Sequence, residues 1–130
     1  MKKIAFLLLG ISLLTACSQD YTVVDEETLN TNPELEGVAT AWQNLVDAGE
    51  KDDCDAVLEQ MRSSLNMTEE SCPDAFEYLK TAPEVDWSKT DWNESAGTAK
   101  IYKMNGGSIT SFVLDTSDDT WRADSFFWAD

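Results

Sequence analysis

The chain predicts an α+β domain, helices first and an antiparallel sheet after them. Two observations carry this. Apolar residues recur at three- and four-residue spacing from Leu35 to Leu79, the period of one helix face. After Pro83, β-branched and aromatic residues come in short runs separated by turn residues, the pattern of a strand meander. Helices followed by consecutive antiparallel strands pack as layers, with the helices on one sheet face. At 130 residues and with no internal repeat, the chain suits one domain.

The first element is a leader. Met1-Lys2-Lys3 is positively charged, Ile4 to Leu14 is almost unbroken apolar sequence, and Thr15-Ala16 are small, which is the order of a secretory signal peptide. The apolar run is about half of the ~20 residues that a membrane-spanning helix needs, so residues 1–16 are expected to be removed. Residues 17–32 follow as an acidic tether whose polar composition buries too little apolar surface to offset the entropy of ordering.

Residues 33–130 are the expected domain. Asn32-Pro33 reads as a helix cap with proline at the first position, with Glu34 and Glu36 placed favourably for the helix dipole. Leu35, Val38, Trp42, Leu45 and Val46 make the buried stripe, and Gly49 is the expected stop. A second helix carries Cys54, Val57, Leu58, Met61 and Leu65 on one face. A third carries Cys72, Phe76 and Leu79, with Ser71 as a cap and Pro83 as terminator.

In the sheet, Gly97 to Met104 and Ser108 to Asp115 flank Asn105-Gly106-Gly107, which tolerates the positive φ of a tight hairpin. The last strand is expected over Thr120 to Trp128, and a further one over Val85 to Trp92.

The leader ends in Leu14-Thr15-Ala16-Cys17, which resembles the lipobox of bacterial lipoproteins. The competing reading is an ordinary secretory signal with an incidental cysteine. The resemblance implies a diacylglycerylated, palmitate-bearing Cys17, cleavage before it, and attachment to the outer face of a cell-envelope membrane. Ser18 in place of Asp would permit sorting to the outer membrane of a Gram-negative host. With Cys17 consumed, Cys54 and Cys72 remain as a natural disulfide pair in an oxidising compartment. Zinc competes for that pair, but two cysteines without a histidine cannot complete the usual N/S site. The bridge would stabilise the fold by roughly 3 kcal/mol on a chain-entropy argument.

The order of elements is similar to the nuclear-transport-factor-two-like (cystatin-like) fold over roughly residues 34 to 128. The residues that carry the likeness are AWQNLVDAGEKDDC, in which a helix breaks at Ala48-Gly49-Glu50-Lys51-Asp52 before Cys54, and the closing TWRADSFF. It implies a curved sheet around the helices and a concave pocket between them.

Composition bounds the function. A net charge of -16 disfavours nucleic acid and anionic lipid headgroups as partners, since both are held by Lys and Arg. Basic envelope proteins or a small ligand fit better, although acidity also serves solubility. The chain has no histidine, so Ser-His-Asp and Cys-His nucleophile systems are excluded. No pattern selects a carboxylate or tyrosine pair, so a histidine-independent enzyme using the implied pocket is the minor alternative, and we assign no catalytic residue, metal or cofactor. The carboxylates of Asp52, Asp53 and Asp55 and of Asp115, Asp118 and Asp119 read as solvated turns, with calcium in the second cluster as the competing reading. Trp42 and Trp121 are in phase with the core. Trp87, Trp92 and Trp128 lie among polar residues and, with Tyr102, are the candidate contact surface for a ligand or partner, with ordinary packing or edge covering as the competing reading.

Overall fold

The computed structural model of the protein describes residues 27–28 and 32–129. The expected leader (1–16), Cys17 and most of the tether lie outside the described residues. Three α-helices pack against a four-stranded antiparallel sheet.

Helix α1 spans Leu35–Glu50 and buries the predicted stripe, with Trp42 and Leu45 fully enclosed. It opens two residues later than expected. The Asn32 backbone carbonyl, not its side chain, accepts from the Leu35 amide (3.0 Å), so Asn32–Leu35 is a lead-in turn. Gly49 does not end the helix either. Asp52 takes the left-handed conformation (φ 53°), and the amides of Asp52 and Asp53 donate back to the carbonyls of Gly49 and Ala48 at 3.2 and 2.9 Å, the double bond of a Schellman stop.

Helix α2 covers only Cys54–Glu59, capped by the Asp53 carboxylate on the Ala56 amide (3.1 Å). Its apolar phase predicts continuation to Leu65, yet Met61 is buried by a different route. The Ala123 amide donates to the Gln60 carbonyl and the Arg62 amide to the Ala123 carbonyl, both at 2.9 Å. The chain leaves the helix to form a one-residue parallel bridge, Met61 with Ala123. Helix α3 is Cys72–Lys80, with Pro73 in its first turn; Ser71 stands before it without a side-chain capping bond.

Strands β1 (Asp91–Asn93), β2 (Thr98–Tyr102), β3 (Ser108–Asp115) and β4 (Thr120–Ala123) are hydrogen-bonded in chain order. The β2–β3 hairpin turns at the predicted residues, with Gly106 at φ 133°. The pairs Ala99–Phe112, Ile101–Thr110, Phe112–Ala123 and Leu114–Trp121 set the face that meets the helices.

Two strands are shorter than the sequence predicts. Val85 makes a single bridge to Lys103, after which Asp86 accepts from the Ser88 amide and Trp87–Lys89 forms a 3-10 turn, so only β1 remains of the expected strand. After Ala123 the chain turns inward. The Asp124 amide reaches the Ser111 carbonyl (2.8 Å), the Ser125 and Thr110 hydroxyls lie 2.6 Å apart, and Phe127 buries its ring against Trp42 and Tyr78. Burying Phe127 outweighs continuing β4 at the sheet edge.

Cys54 and Cys72, the first residues of α2 and α3, form the predicted disulfide, with Cα atoms 5.7 Å apart.

Candidate functional site

The space between the helices and the inner sheet face is occupied. Val38, Trp42, Leu45, Ile101 and Phe112 are each fully buried in one continuous core. The concave pocket implied by the fold resemblance is therefore filled in this chain.

Sequence also offers Trp87, Trp92, Trp128 and Tyr102 as a contact surface, and in the structure each is buried or half-buried. Trp87 is turned inward and buried, because the Asp86-capped turn points its indole at the core; that expectation is corrected. Trp92 is half-buried and packs on Trp121 with ring centres 5.4 Å apart. Trp128 is half-buried against Phe126 and Phe127. Tyr102 is half-buried at the far end of β2, where its carbonyl accepts from the Asp86 amide.

Two grooves lie elsewhere. The larger, about 790 Å³, opens beside the segment after α2, over Leu58, Met61, Met67, Val113, Leu114 and Arg122. Arg122 organises its rim. Its guanidinium reaches Asp115 Oδ2 at 3.0 Å and both Asp118 oxygens at 3.2 and 2.9 Å, while Nε donates to the Glu59 carbonyl at 3.0 Å. That bond to Asp118 raises the Arg122 pKa and is the main cause that lowers the Asp118 pKa. The Asp115 pKa is lowered chiefly by the Ser117 hydroxyl and amide on its carboxylate, and less by Arg122. The Asp115 to Asp119 turn is thus an arginine-held loop. Among the described residues, no three Cys, Asp or Glu side chains gather as a metal site.

The smaller groove, about 350 Å³, runs between α1 and β4. Glu36, Gly37, Thr40 and Asn44 form one wall and Asp119 and Trp121 the other. Gly37 makes this approach possible: a Cβ there would stand 3.1 Å from the Trp121 indole nitrogen. The signal for this groove is absent from local sequence, because it depends on α2 ending at Glu59.

Compared with known proteins, the chain matches no family model, no curated protein and no solved structure.

Proposed function

We propose that the protein is an exported lipoprotein of a bacterial envelope, held to a membrane through Cys17 and acting as a non-catalytic binding module. The observation that carries the reading is the Cys54–Cys72 disulfide. It accounts for two of three cysteines and is at home in an oxidising compartment, leaving Cys17, at the end of the Leu14-Thr15-Ala16-Cys17 run, as the one cysteine to be explained. The helix-then-meander order supports the nuclear-transport-factor-two-like likeness, here with its interior packed. The non-catalytic part is supported by the lack of histidine, which removes the Ser-His-Asp and Cys-His systems.

Metabolic labelling with an alkyne palmitate tests it. The whole chain, produced in a bacterium that processes lipoproteins, is expected to carry the label and sediment with membranes, and Cys17→Ser is expected to lose both. An unlabelled chain, or a Cys17→Ser chain labelled as well as the original, would refute the anchor.

A second reading, an acidic protein that neutralises a basic envelope enzyme or toxin, is favoured by charge placement. Between residues 34 and 80, the helical layer carries twelve carboxylates and three cations. Complementary charge of this kind accelerates and directs association. Binding to a basic enzyme that weakens steeply with salt, together with loss of that enzyme's activity, is the outcome that separates it from a small-ligand carrier.

A further inference from the structure

We propose that the groove between α1 and β4 takes an extended, lysine- or arginine-bearing peptide segment of a partner protein, paired to the backbone of Trp121. This rests on the reading of the protein as a binding module and supplies its binding face and ligand chemistry.

The backbone makes the first part of the case. In an antiparallel pair, alternate residues turn their N–H and C=O toward the neighbouring strand and away from it. Ala123 turns both outward, since its amide and carbonyl bond to Gln60 and Arg62. Two residues earlier, Trp121 shares that phase, and its register with Leu114 places it in the same non-bonded kind of pair. At Ala123 the outward groups are covered by the Gln60–Arg62 segment. At Trp121 they are not: going back along that segment the chain is already coiled into α2, where the Gln60 amide is spent on Ala56 and Val57. Among the described residues, no partner meets the Trp121 N–H or C=O. These two groups face the groove that Trp121 itself lines, and an added strand is the general way such an edge is satisfied. The Met61–Ala123 bridge shows, one step along, the two-bond geometry that a peptide would repeat.

Charge selects the peptide. Glu36 and Asp119 stand exposed on opposite walls, Thr40, Asn44, Gln60 and Thr120 add only neutral polar groups, and no cation among the described residues lines the groove. The larger groove differs, because Arg62 and Arg122 there are matched by Glu59 and Asp115. A cationic side chain on either side of the paired residue reaches Glu36 or Asp119, whereas an anionic one is repelled in a chain already at -16.

The test uses the whole chain in detergent and a fluorescein-labelled, end-blocked pentapeptide, Val-Lys-Val-Lys-Val, read by anisotropy. Saturable binding is expected. Methylating the amide nitrogen of the fourth residue, the counterpart of the Arg62 amide in the Met61–Ala123 bridge, removes the donor to the Trp121 carbonyl and should weaken binding about tenfold, the worth of one hydrogen bond. Glu36→Gln with Asp119→Asn should weaken it by about tenfold, and Glu70→Gln, remote on the 3-10 turn before α3, should leave it unchanged. Circular dichroism establishes that the variants fold. No binding at millimolar peptide, equal binding of the methylated peptide, or equal binding of a glutamate counterpart overturns the proposal. The palmitate label is read separately: label without peptide binding rejects this inference alone, and peptide binding without label rejects the anchor alone.

Discussion

The Cα of Gly49 sits against the Leu79 side chain so closely that a Cβ added at Gly49 would overlap the Leu79 Cβ. This contact sets how near α1 and α3 approach, and it explains a glycine inside a helix rather than at its end. Gly49→Ala gains about 1 kcal/mol of helix propensity but forces the two helices apart. Overpacking of this kind costs about 1–3 kcal/mol, so net destabilisation is expected as a lower urea midpoint. Adding Leu79→Gly, which removes that Cβ, should make the double variant less damaged than the two single losses summed; strict additivity would show that the two residues do not meet.

Cys54 and Cys72 close a loop across a separation of 18 residues. Replacing both by Ser should cost roughly 3 kcal/mol, read as an earlier urea midpoint. A midpoint that does not move would mean that the helix starts are held without the bridge.

Asp115 and Asp118 titrate below the ordinary carboxylate range, for different first causes. With folded pKa values depressed, their contribution is complete above that range and is lost as pH falls through it to the folded values. The two causes separate under substitution. Arg122→Gln should return Asp118 toward the ordinary range and leave Asp115 largely low, and Ser117→Ala should do the reverse. Carbon-detected NMR titration of the side-chain carboxyls reads both. Salt should shrink the Arg122 effect, because the group is near the surface.

Thr110 is buried with its hydroxyl 2.6 Å from that of Ser125, a contact that pins the turn after β4. Thr110→Val is expected to cost about 1 kcal/mol, the usual worth of one such hydrogen bond. In Ser125→Ala the same substitution should cost less, and an unchanged cost would show that the two hydroxyls are uncoupled.

What the sequence makes legible is local. The buried stripe of α1 and the Asn105-Gly106-Gly107 hairpin need only their own neighbours, and both stand where periodicity and turn chemistry put them. The cysteine pairing is legible only through the expected lipidation of Cys17 and the expected oxidising compartment, and Cys54 and Cys72 are bridged. The misread elements depend on partners far along the chain. Met61 keeps helical phase with Leu58 and Leu65, but its burial comes from Ala123, sixty-two residues on. Trp87 looks exposed among Asp86, Ser88 and Lys89, yet the Asp86 cap turns the indole inward while its polar neighbours stay outside. The α1–β4 groove is invisible for the same reason, since it exists where α2 has turned away from β4.

The disulfide also governs how the chain would yield to mechanical load. Drawn out by its ends, the polypeptide can release α1 and the strands, but the eighteen-residue span between Cys54 and Cys72 cannot lengthen beyond the width of the bridge. About 60 Å of contour is thereby withheld from extension. That locked span includes Gln60, Met61 and Arg62, so the segment clasping Ala123 stays a tethered ring even when the rest of the domain has been pulled straight.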